Sequence, residues 1–471
     1  MPKTLVMKFG GTSVGSAAAI RNLIEITRTA KAQWPEVAVI VSAMSGVTDI
    51  LLNTAHAAER GEAMPSGETQ TLEAALNTVR EKHFTALAEL APNNTEVRGL
   101  INEYLEEFKA LCHAMHVLGE ASPRAQDAIA SLGERMSVRL VAAALEAAGL
   151  PAAAVDAAEV VVTDSVFQSA TPDMEATTVQ AGRKVRPLLE AGRVPVITGF
   201  LGANKQGVVT TLGRGGSDFS GAIFGVALSA AEVWIWTDVP GVMTADPRVV
   251  KAARTLPELT FREISELAFF GAKVLHPKTI RPVIERGIAL RVKNTFQPEH
   301  PGTEIVPDNH VAHGSVRSVT AFKGQCILTL EGRGMLGIPG IAARTFAAVA
   351  RTKTSVSMIS QASSEQSICF VIPKSSAETV TAALEEEFRA EIVRKDIERV
   401  WASAECAVVT VVGAGMRHTP GIAGKVFGAL GAASVNVVVI AQGSSECSIS
   451  LCVEAAQADD AVRAIHELIV A

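Results

Sequence analysis

A glycine-rich segment near the start of the chain has the residue types that bind a phosphate. It reads Lys8-Phe9-Gly10-Gly11-Thr12-Ser13 and directly follows the apolar run of residues 5–7. Glycines let backbone N–H groups approach an anion closely, and a lysine at a strand end adds charge that peptide dipoles lack. The segment predicts an anion site, and a tight turn with a solvated lysine is the alternative.

A second glycine-rich segment, residues 210–218, precedes a helical pattern over residues 220–228. Its glycines at a helix N-terminus indicate another anion cradle. Arg214 offers a planar fork that suits a carboxylate, and Asp218 offers a carboxylate that suits a cation or a lysine. A glycine turn capped by Ser217 or Asp218 would explain the same residues without a ligand.

Two further segments place charged residues after apolar runs. Residues 236–248 contain Asp238, Asp246 and Arg248, and residues 270–277 place Lys273 among small and apolar neighbours. Loops at the carboxyl ends of strands are where α/β sheets bind ligands. Turn formation by the aspartates and prolines, and a lysine on a helix surface, are the alternatives.

The elements that must position these residues follow an alternating pattern. From residue 1 to about 300, short Val- and Ile-rich runs alternate with helical patterns, which predicts an α/β domain with a mostly parallel sheet. The charged helical segment 66–116 is interpreted as an insertion. A passage rich in proline, glycine and polar residues, 297–313, marks a domain boundary.

Composition excludes several classes of function. The chain has 471 residues, a net charge of -6, 4% aromatic residues and one tyrosine, so the basic surface and stacking platforms of a nucleic-acid-binding protein are missing. The alanine-rich stretch 138–162 is interrupted by charged residues, which argues against a membrane span. Six cysteines without a Cys-x-x-Cys pair, and no signal peptide, predict free thiols and a cytoplasmic location.

The C-terminal third contains a repeat without gaps. Residues 332–335, 339–342 and 361–365 recur 81 positions later as residues 413–416, 420–423 and 442–446. Each copy predicts a small α/β unit. The second copy ends after its last helix, so we hypothesise that residues 315–322 supply its missing strand and that the first unit is inserted within the second. Gly332–Gly337 also matches Gly-x-Gly-x-x-Gly, but the second copy breaks this pattern at His418, which argues against a dinucleotide site.

Six motifs in order resemble those of the aspartate kinase family in the amino acid kinase superfamily. They are residues 8–13, 41–48, 133–136, 213–218, 237–241 and 271–277. The C-terminal repeat is similar to the tandem ACT domains that regulate this family. The resemblance implies an α/β amino acid kinase fold, with a mostly parallel sheet between helices, over residues 1–300. Two ferredoxin-like ACT domains (βαββαβ) would follow at 301–405 and 406–471, as in the monofunctional members.

The activity implied by the resemblance is ATP-dependent phosphorylation of the β-carboxylate of L-aspartate, the first step toward lysine, threonine and methionine. Lys8 and Asp218 correspond to catalytic residues, with Asp218 orienting Lys8. Arg214 corresponds to the residue that binds the α-carboxylate, and Glu134 to the residue that binds the ammonium group. The other substrate positions are Thr48, Phe200, Gly215 and Ser217. The nucleotide positions are Lys8, Gly10, Gly11, Ser13, Thr237, Asp238, Asp246, Arg248 and Lys273. Mg²⁺ is expected on phosphate oxygens and water, with no metal site built from protein side chains.

Regulation is also implied. Gln361 is followed by Ala-Ser-Ser-Glu and Gln442 by Gly-Ser-Ser-Glu, and both resemble allosteric positions of the threonine-sensitive members more than those of the lysine-sensitive ones. An amide can pair with both the hydroxyl and the amine of a small ligand. Glutamines retained for packing are the alternative. Edge strands and pseudo-symmetry favour a dimer or tetramer formed through the ACT sheets.

Two other functions remain open from the residues. A kinase that acts on another carboxylate or carbamate, such as acetylglutamate, would share the first glycine loop but would not explain the Glu134 motif or the repeat. An amino-acid sensor with an inactive kinase half is disfavoured because Lys8, Arg214, Asp218 and Lys273 are all present.

Overall fold

The computed structural model describes residues 3–61, 72–213, 215–270, 275, 277–307, 316–361, 366–416, 419–443 and 447–470. The chain forms two compact units. The first comprises Met1–Val242, Pro257–Phe261 and Val274–Pro307, and the second comprises Met243–Leu256, Arg262–Lys273 and Asp308–Ala471. Among the described residues, no helix is both long and apolar enough to cross a membrane.

The strands of the first unit are β1 Thr4–Phe9, β2 Glu36–Val41, β3 Ala152–Val155, β4 Val162–Thr163, β5 Val194–Thr198, β6 Leu201–Asn204, β7 Val209–Thr211, β8 Glu232–Thr237, β9 Glu258–Thr260, β10 Ala289–Asn294 and β11 Thr303–Val306. Eight of them form one sheet in the order β3-β5-β2-β1-β8-β10-β11-β9, and β4, β6 and β7 form a small separate sheet. Only the β10–β11 pair of the large sheet is antiparallel, so the predicted mostly parallel sheet is confirmed.

The helices of this unit are α1 Ala17–Gln33, α2 Val47–Glu59, α3 Leu72–Leu90, α4 Thr95–Leu118, α5 Pro123–Ala147, α6 Met174–Lys184, α7 Arg186–Glu190, α8 Gly216–Ala227 and α10 Pro277–Glu285. Helix α9, Phe261–Phe269, lies almost entirely in the second unit. All six residues of β1 are buried, as expected for a central strand that helices cover on both faces. The described part of the interpreted insertion forms α3 and α4, whose apolar residues join those of α2 and α5 in one core.

The second unit contains strands β12 Ser318–Glu331, β13 Met358–Gln361, β14 Ser367–Pro373, β15 Arg399–Val412, β16 Val439–Ala441 and β17 Ser448–Glu454. Its remaining helices are α11 Ile341–Arg351, α12 Ala377–Glu387, α13 Arg389–Arg394, α14 Ile422–Ala432 and α15 Ala458–Val470. The six strands form one antiparallel sheet in the order β13-β14-β12-β15-β17-β16.

Strands β12 and β15 run through both repeats. Residues 318–322 pair with Val408–Val412 of the second copy, and residues 325–331 pair with the first half of β15. This pairing is the one that the insertion hypothesis requires. The predicted boundary between the two ACT domains, at residue 405, falls inside β15 because hydrogen bonding continues along that strand. The first unit extends past residue 300 because β11 pairs with β10.

Two chain segments join the second unit although they precede the repeat, which sequence reasoning did not predict. In Met243–Leu256, Ala245 and Val250 pack in the core of the second repeat, and the Thr244 hydroxyl bonds His466 Nε2 at 2.9 Å. In α9, the Glu263 carboxylate accepts a hydrogen bond from the Ala414 amide at 2.8 Å. These tertiary contacts have no local sequence signal.

Candidate active site

Lys8 lies near the carboxyl end of β1, at the middle of the large sheet. Strands β2 and β8 flank it in register with Ile40 and Ile235, and the residue is only 7% exposed. A lysine so far removed from water requires a partner for its charge. The neighbouring strands offer only apolar side chains at this level.

Asp218, in the first turn of α8, provides that partner. Its Oδ1 lies 2.5 Å from Lys8 Nζ, and this oxygen has no other hydrogen-bond partner in the described part of the chain. The approach of α8 depends on Gly221, where an added Cβ would lie 3.3 Å from the Lys8 Cβ. Lys8 and Asp218 lie in separate motifs, the resemblance implied that Asp218 orients Lys8, and the fold brings them into one largely buried ion pair.

The first glycine loop turns directly after β1. The Gly10 amide donates to the Trp236 carbonyl at 3.1 Å, and the Ser13 amide donates to the Gly10 carbonyl at 3.0 Å. An added Cβ at Gly11 would lie 3.1 Å from the Ala43 carbonyl, so a larger residue would be crowded there. The Ser13 hydroxyl is fully buried and bonds Thr295 Oγ1 at 2.6 Å. A contact between Ser13 and phosphate would therefore require that hydroxyl to exchange its partner.

The second glycine loop leads into α8 through two left-handed residues, Gly213 with φ of 76° and Gly215 with φ of 73°. Phe200 also has a positive φ, 67°, which is uncommon outside glycine and often marks a functional site. An added Cβ at Gly216 would lie 2.6 Å from the Phe200 ring, so the glycine lets the ring pack on the loop. Arg214 lies outside the described residues.

Ser217 and Thr48 are half-buried at helix N-termini. Ser217 is the second residue of α8, and an added Cβ at Gly199 would lie 3.1 Å from its Cβ. Thr48 is the second residue of α2, which begins after the left-handed Gly46. Both hydroxyls thus lie where unpaired helix amides favour an anion.

Glu134 is a buried acid of the first unit. It lies in α5, is 3% exposed, and its Oε2 has no hydrogen-bond partner among the described residues. Burial raises the pKa of this carboxyl to about 8, although a hydrogen bond from the Ala43 amide acts in the opposite direction. A buried carboxyl with one oxygen unsatisfied is suited to receive a cationic group.

The predicted nucleotide residues fall in different places. Thr237 ends β8, and its hydroxyl donates to the exposed Asp238 carboxylate at 3.2 Å. Asp246 and Arg248 lie in the second unit and pair with each other, with Arg248 Nη2 2.6 Å from Asp246 Oδ2. This pairing lowers the pKa of Asp246. Lys273 lies outside the described residues.

Asp127 was missed by sequence reasoning. It is 1% exposed on α5 and accepts hydrogen bonds from the Gln168 amide, the Thr211 amide and the Thr211 hydroxyl at 2.9, 3.0 and 2.8 Å. Its position seven residues before Glu134, on the same helix face, was the available signal.

The second unit contains a cavity of about 310 Å³ at the first repeat, and Gln361 lines it. The other lining residues are Met335, Gly337, Ile338, Pro339, Gly340, Ile341, Ala342 and Ile368. Gln442 is exposed after β16 and is not among them. Gly332 and Gly334 serve close packing, since an added Cβ at either would lie within 2.5 Å of Asp396 backbone atoms.

Comparison with known proteins also separates an N-terminal part of the chain from a C-terminal repeat. Residues 3–294 match the amino acid kinase family, and residues 328–388 and 409–468 each match an ACT domain. Aspartokinase 1 from Arabidopsis thaliana chloroplasts is 33% identical over 478 residues, 98% of this chain and 80% of that protein. The chloroplastic bifunctional aspartokinase/homoserine dehydrogenase of Daucus carota is 34% identical over 98% of this chain. The chain spans about half the length of such bifunctional relatives, 50% in that case.

Solved structures of similar proteins cover the whole chain. Escherichia coli aspartokinase III in complex with aspartate and ADP superimposes with a TM-score of 0.83 at 31% identity, covering 99% of this chain and 100% of that one. The same enzyme in complex with lysine and aspartate gives a TM-score of 0.77, with full coverage of both chains.

Proposed function

The chain belongs to the amino acid kinase family and, within it, to the aspartokinases with ACT domains, and on that premise we propose that it transfers the γ-phosphoryl group of MgATP to the β-carboxylate of L-aspartate. The observation that carries the proposal is the ion pair of buried Lys8 with partly buried Asp218 at the end of the central strand, beside the first glycine loop.

The main obstacle to this reaction is repulsion between two anions. A β-carboxylate is already ionised at neutral pH, so the reaction needs no general base. Two unit charges about 3.5 Å apart, at an effective dielectric constant of about 20, repel by roughly 5 kcal/mol. A carboxylate oxygen forms the bond to the γ-phosphorus while the bond to the ADP oxygen breaks, and the Lys8 ammonium would offset the charge between them. Asp218 would orient Lys8.

Recognition of the amino acid would use both charged groups on its α-carbon, the ammonium group and the α-carboxylate. Glu134 would receive the ammonium group in its buried pocket, and Arg214 would bind the α-carboxylate through its planar fork. The helix N-termini at Thr48 and Ser217 would add dipoles that favour the substrate's anionic groups. Phe200 and Gly215 would shape the wall of this pocket.

The nucleotide would be bound by the first glycine loop through Gly10, Gly11 and Ser13, and by Thr237 and Asp238 at the end of β8. Asp246, Arg248 and Lys273 are assigned to it by resemblance. No three His, Cys, Asp or Glu side chains of the described residues converge as metal ligands. We assign Mg²⁺ to the phosphate oxygens and water, where it would neutralise charge on the transferred group.

The ACT unit, residues 301–471 in this proposal, would impose feedback inhibition by a pathway end product. We favour threonine over lysine because a neutral amide, Gln361, lines the cavity of the first repeat. E. coli aspartokinase III has been solved with lysine, which makes lysine the necessary comparison. Titration calorimetry of the wild type, Gln361→Ala and Gln442→Ala with each amino acid tests the assignment, and heat from neither would reject it. Self-association through the ACT sheet and a cytoplasmic location, consistent with cysteines that all remain thiols, complete the proposal.

A coupled assay of ADP release tests the activity. L-Aspartate is expected to support turnover, and hydroxylamine should trap an acyl phosphate only with that acceptor. Acetylglutamate in place of aspartate would indicate the related kinase, and no turnover with either acceptor would indicate a sensor protein.

A further inference from the structure

The buried Asp127 carboxylate links two separate loops. Its Oδ2 accepts hydrogen bonds from the backbone amides of Gln168 and Thr211, and its Oδ1 accepts one from the Thr211 hydroxyl. The side chain is shielded from water, so an amide that lost this acceptor would remain unsatisfied. The three bonds fix the end of β7 to α5.

The second glycine loop starts directly after this link. Thr211 ends β7, and Gly213 follows two residues later in the left-handed conformation. An added Cβ at Gly213 would lie 2.8 Å from the Gln168 carbonyl, so the loop rests on the residue that Asp127 also binds. Gln168 itself has φ of 65°, a conformation that needs support from its surroundings.

The same helix face carries Glu134. Seven residues make nearly two turns of a helix, so Asp127 and Glu134 lie on one side of α5, about 10 Å apart along its axis. Helix α5 therefore holds the proposed ammonium-binding carboxyl directly and the start of the Arg214 loop through Asp127.

We propose that Asp127 is a positioning residue for aspartate recognition, which fixes the start of the loop that carries Arg214 relative to Glu134. This inference rests on the proposed function. Asp127 contacts neither substrate in this scheme, and its effect on aspartate passes through Thr211 and Gln168.

Two matched pairs of variants separate positioning from charge and from general stability. Asp127→Asn can keep all three bonds, because its oxygen still accepts from the two amides while its NH₂ donates to the Thr211 hydroxyl. Asp127→Ala loses all three. Thr211→Ser keeps the hydroxyl, and Thr211→Val removes it with little change in volume.

We expect Asp127→Ala to raise the KM for aspartate by about 10- to 100-fold, because two buried backbone amides lose their acceptor, with the KM for ATP changed less than about twofold. Thr211→Val should raise it by about 2- to 10-fold, and the Asn and Ser variants should stay close to the wild type. Hydrogen exchange at the Thr211 and Gln168 amides should accelerate in Asp127→Ala and not in Asp127→Asn.

Three results would overturn the inference: an unchanged KM for aspartate in Asp127→Ala, equal losses in the Ala and Asn variants, or a parallel rise in both KM values. A wild type that fails to use aspartate would reject the proposed function instead, and the exchange measurements would still decide whether Asp127 holds the loop.

Discussion

With the proposed role of Glu134 in binding the ammonium group, aspartate binding should depend on pH. Because burial raises its pKa to about 8, the empty site is mostly protonated at pH 7. The usual pKa of a glutamate carboxyl is 4.5, so ionisation of Glu134 in this site costs about 5 kcal/mol more than in water. A bound ammonium group would favour the ionised form, so aspartate binding should release a proton.

The size of the effect follows from this pKa. The fraction of sites already ionised rises from about one in ten at pH 7 to most of them at pH 9. The apparent KM for aspartate should therefore fall about tenfold between these pH values at saturating MgATP. Glu134→Gln cannot ionise at this position. Its KM for aspartate should therefore be nearly independent of pH, and at pH 9 it should be about 10- to 100-fold higher than that of the wild type.

Initial rates across pH 6.5 to 9 give the KM, and calorimetry in two buffers with different ionisation enthalpies gives the proton release directly. Unfolding provides the control. The folded pKa exceeds the unfolded one, so stability falls as pH rises from 4.5 toward 8, and Glu134→Gln should melt at a higher temperature than the wild type at pH 9. A KM that stays constant from pH 7 to 9 in the wild type, or a pH slope that persists in Glu134→Gln, would refute the reasoning.

Three further predictions concern Lys8, His83 and Gly221. Lys8→Ala should lower kcat by about 10²- to 10³-fold with the fold intact by circular dichroism, because it removes a preorganised cation; near-normal turnover would reject its role. His83 is fully buried with Nε2 unpartnered among the described residues, and burial lowers its pKa to about 4. Above pH 6.5 the imidazole is neutral in both the folded and the unfolded protein, whereas between pH 6.5 and 4 protonation of the unfolded chain lowers the free energy of unfolding. His83→Leu should therefore remove up to about 3 kcal/mol of this acid destabilisation. Denaturant unfolding at pH 7 and 4.5 measures the difference, and an equal change with pH in both proteins would contradict the prediction. Gly221→Ala should reduce both kcat and Tm, because the added methyl group would crowd the Lys8 Cβ at 3.3 Å. The control is Gly428→Ala, in open space on α14, which should raise Tm because alanine favours a helix over glycine by up to about 1 kcal/mol. A higher Tm and full activity in Gly221→Ala would show that the contact is unimportant.

Sequence periodicity alone was sufficient for the parallel sheet of the first unit and for the repeat. Strands buried on both faces require continuous apolar runs, and β1 shows such a run with every residue buried. The repeat was visible because its spacing is constant. Its missing strand could be inferred by counting elements, and residues 318–322 pair as that count required.

The residues by themselves did not determine which charged groups meet; the resemblance implied that Asp218 orients Lys8, and the tertiary structure decided their contact. Lys8 and Asp218 are 210 positions apart, and their contact depends on Gly221 letting α8 approach β1. The burial of Glu134, the links made by Asp127, and the inclusion of Met243–Leu256 in the second unit likewise depend on packing between distant segments. Local patterns report the conformation and solvation of a segment, whereas the surroundings of a charge are set by segments remote in the chain, which those patterns do not encode.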